Sequence, residues 1–88
     1  MWAAVIPGMR IDREMSIAFG KVIKKRREMQ GISLARLAEM AGTAQTHPGK
    51  MEKNVVSPNL DVASAYAKAL GFPLSKLIAE AEKFRKQS

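Results

Sequence analysis

Apolar residues recur every three or four positions along most of the chain, which is the spacing of one face of an α-helix. The first apolar series consists of Phe19, Val22, Ile23 and the aliphatic stem of Arg26. Ser16 precedes this series and can cap a helix with its hydroxyl. Gly31 follows it and can adopt the left-handed conformation of a helix terminus. The pattern therefore predicts a first helix over residues 16–30.

Similar signals predict further helices in the rest of the chain. Ser33 can cap a short helix of about eight residues that ends before Gly42. Asn59 can cap a later helix closed by Gly71, and Pro73 is suited to the start of the last one. The predicted inward residues are Leu34, Leu37, Ala38 and Ala41, then Leu60, Ala63, Tyr66, Ala67 and Leu70, and finally Leu74, Leu77, Ile78, Ala81 and Phe84. No segment alternates with period two, so we expect no sheet.

The beginning of the chain differs from the rest. It lacks helical periodicity and contains Pro7-Gly8, which signals a turn. We therefore divide the chain into an N-terminal arm, residues 1–14, and one helical domain, residues 15–88. A total of 88 residues allows one compact domain and no more.

Composition excludes several classes of protein. The chain contains no cysteine, which excludes disulfides, a thiolate nucleophile and the usual structural zinc sites. No apolar run approaches the length of a membrane span. His47 is the single histidine and has no second ligand or paired carboxylate nearby in sequence, so we expect a cap or turn role for it. These features predict a cytoplasmic protein that is not an enzyme and has no metal, cofactor or membrane partner.

Positive charge is concentrated in the middle of the sequence. The chain has 15 basic and 8 acidic residues, a net charge of +7. Residues 21–53 contain eight basic and three acidic residues, which give +5 of that total. From charge alone, a polyanionic partner and an ordinary solvated basic surface are equally supported.

The order of the turns and charges resembles the lambda repressor-like, or xenobiotic-response-element, family of helix-turn-helix domains. The resemblance covers about residues 17–80. The segments that carry it are FGKVIKKRR at 19–27, GIS at 31–33, LA at 37–38, AGT at 41–43, MEKN at 51–54, SPNL at 57–60 and AKALG at 67–71. It implies an all-α, five-helix bundle that binds double-stranded DNA as a homodimer. Helices two and three would form the DNA-binding unit, with helix three in the major groove.

The resemblance also implies which residues contact DNA. Gln45 matches the first recognition residue of several phage repressors, where a glutamine can pair with adenine. Thr46 and Lys50 are the other groove-facing candidates. An amide, a hydroxyl and an ammonium group have the chemistry that base edges and phosphates require, independently of any family. Phosphate contacts are implied for Lys21, Lys24, Lys25, Ser33, Thr43 and Lys53.

Two further matches concern the fold. Arg27 and Glu52 stand where some relatives have a partly buried ion pair between helix one and the end of helix three. Two exposed charges that contribute about 0 to 1 kcal/mol are the alternative. Asn54 stands where relatives often have glycine, and asparagine is the next most suitable residue for a left-handed helix terminus.

Three departures from the family pattern fall in the DNA-reading unit. Leu34 replaces a glutamine that touches phosphate in relatives, and Ala44 replaces a serine or threonine cap. Pro48 replaces an apolar anchor and is followed by Gly49. Helix three either starts late, over about 48–53 with Thr46 or His47 as its cap, or is a bent helix of full length. Either arrangement displaces the groove-facing side chains and predicts lower sequence specificity than that of a phage repressor.

Two functions remain open from the sequence. A DNA-binding transcriptional regulator is favoured by the basic middle segment. Its dimer contacts would come from residues 74–84 and from the arm around Trp2. A protein-binding, antitoxin-like or adaptor module is favoured by Leu34 and Pro48, which alter the DNA-reading unit.

Overall fold

The computed structural model of the chain describes residues 13–87, and its side chains through residue 85. Within that range it contains no strand and five helices, which are α1 (Arg13–Met29), α2 (Leu34–Ala41), α3 (His47–Glu52), α4 (Leu60–Leu70) and α5 (Leu74–Gln87). The predicted all-α, five-helix architecture is confirmed. The predicted arm lies outside the described residues except for its last two members, and the division into arm and domain stays a prediction.

The core lies where the apolar faces of all five helices meet. Helix α1 packs against α5, α4 and α3, while α2 packs against α3 and α4. The largest side chains withdrawn from water are those of Tyr66, Ile23, Leu37, Met51, Leu77, Val22 and Pro48. Every helix therefore contributes to the same core, which stabilises helices too short to persist alone.

Local capping fixes where the helices begin and end. The Ser33 hydroxyl accepts a hydrogen bond from the Arg36 amide at 3.0 Å, and the Asn59 side chain accepts one from the Val62 amide at 2.8 Å. Both predicted caps are confirmed. Asn54 adopts the predicted left-handed conformation, with φ of 65°, and the following amide of Val55 donates to the Lys50 carbonyl at 2.8 Å.

Helix α1 begins three residues before the predicted start. Arg13 and Glu14, which we had assigned to the arm, belong to its first turn. Arg13 Nη2 donates to the Asn54 carbonyl at 3.2 Å, and Met15 packs against the core. The acidic Glu14 is also favourable near a helix N-terminus. These interactions extend the helix beyond the hydroxyl of Ser16.

Two leucines predicted to face inward are partly or largely exposed. Leu60 is 76% exposed and Leu34 is 37% exposed. Each is the first residue of its helix, immediately after the capping residue. Because Cα–Cβ bonds tilt toward the helix N-terminus, a side chain at that position lies beyond the first turn and away from the core. The prediction was wrong for Leu60 and holds only in part for Leu34.

Helix α3 approaches the backbone of α1 very closely. A Cβ atom added to Gly20 would lie 2.9 Å from the Met51 carbonyl oxygen, a separation that real Cβ atoms do not show. Gly20 is buried within α1, so the absence of a side chain is what allows α3 to sit at this distance.

Candidate nucleic-acid interface

Helix α3 begins late, at the position that Pro48 favours. Thr46 is the N-cap of α3 and makes no side-chain capping bond, and Pro48 lies in the first helical turn, where its missing amide hydrogen costs little. Gln45 and Thr46 are in the turn that precedes the helix. The late start is confirmed, and the bent helix of full length is not formed.

Pro48 also serves as the apolar anchor of this short helix. Its side chain is almost completely buried, like that of Met51 on the same helix. The replacement of an aliphatic residue by proline therefore changes where α3 begins and keeps its attachment to the core. Gly49, in contrast, has space around it, since the nearest atom to an added Cβ would be Leu34 Cδ1 at 3.8 Å.

A hydrogen-bonded cluster joins the turn, α3 and α4. His47 Nδ1 is hydrogen-bonded to the hydroxyl of Tyr66, and the two rings stack with centroids 5.7 Å apart. The Tyr66 hydroxyl also lies 3.4 Å from Thr43 Oγ1, which donates to the Ala44 carbonyl at 3.3 Å. Burial raises the pKa of Tyr66, which keeps its hydroxyl protonated. We call Thr43, His47 and Tyr66 the turn cluster.

Arg27 and Glu52 form a bidentate ion pair. Arg27 Nε donates to Glu52 Oε2 at 2.8 Å, and Nη2 donates to Oε1 at 3.1 Å. The side chains are only 12% and 8% exposed, and the third guanidinium nitrogen donates to the Ile32 carbonyl at 2.8 Å. The hydrogen bonds that Arg27 donates to Glu52 raise the pKa of Arg27. The geometry is that of the partly buried pair rather than of two exposed charges, and it attaches the end of α3 to α1.

The arginines of the described residues all have partners within the chain. Arg26 pairs with Glu80, Arg36 with Glu39 and Arg85 with Glu82, while Arg13 and Arg27 make the bonds given above. The hydrogen bond from Arg26 lowers the pKa of Glu80. The Arg26 guanidinium also lies 4.7 Å from the centre of the Phe72 ring. Apart from Arg13, which bonds a backbone carbonyl, these arginines are paired with carboxylates, so lysines carry most of the unpaired positive charge of the described residues.

The residues expected to read bases lie in α3 and in the turn just before it. Gln45, Thr46 and Lys50 are exposed, and the Lys50 amide donates to the Thr46 carbonyl at 3.2 Å, one helical turn away. Lys53 at the end of α3 is also exposed. None of these four side chains has a hydrogen-bond or ion-pair partner among residues 13–87. We call these four residues the α3 surface.

The residues expected to contact phosphates are more dispersed. Ser33 is exposed and caps α2, whereas the Thr43 hydroxyl lies beside the hydroxyl of Tyr66 within the turn cluster. Lys21 lies beside Phe84 at a cavity between α1 and α5, and Lys25 Nζ lies 6.0 Å from the centre of the same ring. Lys24 is exposed and has no partner in the described residues. The structure thus places Lys21 and Lys25 on the side of α1 that faces α5.

Sequence reasoning did not find the turn cluster. Tyr66 was recognised only as an inward residue of its helix. A tyrosine hydroxyl that is buried usually has a hydrogen-bond partner, and the polar residues Thr43 and His47 were available in the α2–α3 connection. That signal could have directed attention to the cluster, although the sequence alone does not show that α4 passes beside the turn.

Two other kinds of site are absent from the part of the chain that the structure describes. No group of three or more His, Cys, Asp or Glu residues there is arranged to hold a metal ion. None of its helices combines the length and the apolar character required to cross a bilayer.

Comparison with protein families and curated proteins identifies relatives. The family model described as helix-turn-helix matches residues 23–77. A protein of Methanocaldococcus jannaschii that carries the name of an HTH-type transcriptional regulatory protein is 42% identical over 57 residues, which are 65% of this chain and 18% of that protein. The HTH-type transcriptional regulator PuuR of Escherichia coli K12 is 33% identical over 67 residues, which are 76% of this chain and 36% of that protein. The chain spans well under half the length of these relatives.

Solved structures give the same fold. Two crystal structures of the clp gene regulator ClgR from Corynebacterium glutamicum superpose with TM-scores of 0.78 and 0.74. The first covers 83% of this chain and 78% of the ClgR chain at 19% identity, and the second covers 80% and 91% at 20% identity. The likeness establishes the arrangement of the helices in this chain.

Proposed function

Because the chain belongs to the helix-turn-helix family, we propose that it is a DNA-binding transcriptional regulator that reads double-stranded DNA through the α2–α3 unit. In this proposal α3 lies in the major groove, with Gln45, Thr46 and Lys50 at base edges. The named functions of the relatives, HTH-type transcriptional regulators, support the assignment. It retains the cytoplasmic location expected from the sequence and involves no catalytic step.

The observation that carries the proposal is the state of the α3 surface. Its amide, hydroxyl and two ammonium groups are exposed, and none has a partner within residues 13–87. The neighbouring charged residues Arg27 and Glu52, in contrast, satisfy each other inside the fold. Polar groups presented without partners on a helix-turn-helix unit supply donors to phosphates and both donors and acceptors to base edges.

The chemistry of this surface predicts modest sequence specificity. Lysine acts as a strongly hydrated point charge, whereas the planar guanidinium of arginine forms bidentate pairs with guanine. Arg26 and Arg27 are held by carboxylates of other helices, and Arg36 is paired with Glu39 on its own helix, so we expect lysines to provide most of the charge that faces DNA. Gln45 is the side chain best suited to a bidentate contact, and it lies in a turn rather than on the helix. We therefore expect most of the affinity to be electrostatic and dependent on salt.

We also propose that the regulator acts as a homodimer. Two copies would place two α3 helices in successive major grooves, about one helical turn apart on a pseudo-palindromic site. The part of α5 between Leu74 and Phe84 can supply contacts, since Leu74, Ile78 and Phe84 are only partly buried by the rest of the domain. The arm around Trp2, a second expected source of contacts, lies outside the described residues. Sedimentation equilibrium with and without DNA tests this arrangement.

Titration with random-sequence duplex DNA at two salt concentrations tests the main proposal. We expect binding that weakens steeply with salt. The double variant Lys50→Gln, Lys53→Gln should lower the slope of log K against log salt by about 2, because each phosphate contact contributes about 0.9. The control Lys76→Gln, Lys83→Gln removes the same charge from α5, which packs on α1 and α4. Because α5 also holds the proposed dimer contacts, sedimentation equilibrium first establishes that this variant has the oligomeric state of the parent chain, and its slope should then be nearly unchanged.

Two outcomes would contradict the proposal. Absence of binding at low salt would favour the protein-binding module, for which the exposed Leu34 and Met40 of α2 offer apolar contact surface. Equal loss of binding in the two double variants would mean that charge attracts DNA without any particular contribution from the α3 surface.

A further inference from the structure

Two polar residues of α3 are not used by the proposed interface, and of these Glu52 is paired with Arg27, which leaves His47. It is the first residue of the helix and lies between Thr46 and Lys50, both of which belong to the α3 surface. Its ring is attached to the fold through Nδ1, which is hydrogen-bonded to Tyr66, and through stacking on the same residue. The two interactions with Tyr66 therefore fix the position of the His47 ring in the first turn of α3, three residues before Lys50.

The second ring nitrogen of His47 makes no hydrogen bond within the described residues. Every buried side-chain nitrogen or oxygen atom in the described part of the chain has a hydrogen-bond partner. Nε2 of His47 has no such partner there, so it is accessible to water. One imidazole nitrogen is thus held by the protein while the other stays available to water or to a ligand that approaches the start of α3.

The turn cluster can hold the protonated ring without leaving a donor unsatisfied. In the imidazolium form Nδ1–H donates to the Tyr66 oxygen, the Tyr66 hydroxyl donates to Thr43 Oγ1, and the Thr43 hydroxyl donates to the Ala44 carbonyl. In the neutral form Tyr66 can instead donate to Nδ1. Since Tyr66 is both donor and acceptor, either charge state of His47 is accommodated.

We propose that His47 contacts a DNA phosphate through Nε2–H and that its imidazolium form strengthens the binding of double-stranded DNA. The proposal rests on the DNA-binding function put forward above. A charged donor makes a stronger hydrogen bond to phosphate than a neutral one, and the added charge displaces one further counterion. Histidine is the side chain whose ordinary pKa lies where this change occurs near neutral pH.

The other ionisable groups on the elements packed around His47 are either neutral, already paired, or part of the α3 surface. Tyr66 contacts it from α4 and is kept neutral by burial. Lys50 follows it on α3, and Glu52 on the same helix is held by Arg27 of α1. On α2, which also packs against α3, Arg36 is paired with Glu39 at 2.6 Å.

The experiment measures binding of the whole chain to a random-sequence duplex of about 20 base pairs, at constant ionic strength, near pH 5.5 and near pH 8. We expect about tenfold tighter binding at the lower pH, together with a salt slope larger by about 0.9. His47→Gln should abolish both differences. Lys50→Gln is the matched control, because it should reduce the slope at both pH values and preserve the difference between them.

Titration of the His47 imidazole by NMR provides a second readout that does not depend on a variant. His47 is the single histidine, so its ring signals are assigned without ambiguity. Its pKa should rise when duplex DNA is added. A pKa that DNA leaves unchanged, or a His47→Gln variant that keeps the pH difference, would overturn this proposal while the DNA-binding function stands. Absence of duplex binding at both pH values would overturn the two together.

Discussion

The guanidinium of Arg27 and the carboxylate of Glu52 are joined by two hydrogen bonds of 2.8 and 3.1 Å, and this pair connects α1 to the last turn of α3. A third bond from Arg27 to the Ile32 carbonyl reaches the turn before α2. One side chain of α1 therefore positions both helices of the helix-turn-helix unit. Because α3 has only six residues, such attachments determine its orientation more than its own helical stability does.

Removal of one partner of this pair should destabilise the fold strongly. Glu52→Ala leaves the guanidinium of Arg27 without its counterion in a position that is 12% exposed, and we expect a loss of about 3 to 5 kcal/mol in the free energy of unfolding. Urea denaturation measures this quantity. Glu39→Ala is the matched control, because its pair with Arg36 is exposed and should contribute about 0 to 1 kcal/mol. A loss below about 1 kcal/mol for Glu52→Ala would contradict burial of the pair.

Two glycine-to-alanine substitutions should have opposite effects. Alanine favours a helix by about 1 kcal/mol relative to glycine. At Gly49 the added methyl group meets only Leu34 at an ordinary contact distance, so we expect Gly49→Ala to be stabilising by up to about that amount. At Gly20 it would meet the Met51 carbonyl at 2.9 Å, and Gly20→Ala should cost about 1 to 3 kcal/mol as α3 is forced away. Thermal unfolding of the two variants checks the contrast, and stabilisation by Gly20→Ala would refute the close approach.

Local features of the sequence were sufficient to predict the helices and most of their ends. Ser33 and Asn59 act as caps because a side-chain oxygen can satisfy an amide in the first turn, whatever the rest of the chain does. Pro48 fixes the late start of α3 for an equally local reason, since it lacks the amide hydrogen that a residue farther inside a longer helix would need. The chemistry of such positions acts within four or five residues.

Relations between helices were beyond the reach of those rules. The need for glycine at position 20 depends on how closely α3 approaches α1, and the role of Tyr66 depends on its distance from His47. Leu60 matches the spacing of the inward face of α4 yet is exposed, because the end of a helix can extend past the core. In the sequence, the basic residues 24–27 form one continuous charged segment. In the folded chain Lys25 lies near Phe84, while Arg26 pairs with Glu80 and Arg27 with Glu52.

Stability at alkaline pH should depend on Tyr66. Burial raises the pKa of this phenol above its ordinary value, so the folded state holds the proton more tightly than the unfolded state does. The resulting stabilisation is fully present below the ordinary tyrosine pKa of about 10 and is lost as the pH rises from there through the folded value. Tyr66→Phe should flatten this alkaline decline. It should also lower stability at neutral pH by about 1 to 3 kcal/mol, because His47 Nδ1 loses its partner. Urea denaturation as a function of pH measures both effects, and an unchanged decline in the variant would disprove the assignment.

Stability at acid pH should depend on Glu80. The hydrogen bond from Arg26 holds the pKa of this carboxyl below its ordinary value, so the contribution is present above the ordinary glutamate pKa of about 4.3. It is lost as the pH falls from there through the lower folded value. Glu80→Gln should therefore make the acid decline shallower, whereas Glu39→Gln, in an exposed pair on α2, should leave it nearly as it is. The measurement is the unfolding midpoint between about pH 2 and about pH 6, and identical curves for the two variants would count against the Arg26–Glu80 pair.

Substitutions on the α3 surface should separate base reading from attraction to phosphate. Gln45→Ala removes the amide that can bond adenine, so it should relax the preference at one base pair, by about 1 to 3 kcal/mol. We expect the lower part of that range, because Gln45 lies in the turn before α3 and its amide is not held by a helix. Lys50 is proposed to lie in the groove as well, but its ammonium is a point charge that discriminates bases less than a bidentate amide does, so Lys50→Ala should weaken all sequences about equally. Selection from a randomised duplex pool, followed by affinity measurements on the preferred and altered sites, distinguishes the two effects. If Gln45→Ala weakened every site alike and Lys50→Ala changed the preferred base, Lys50 rather than Gln45 would be the residue that determines the sequence preference.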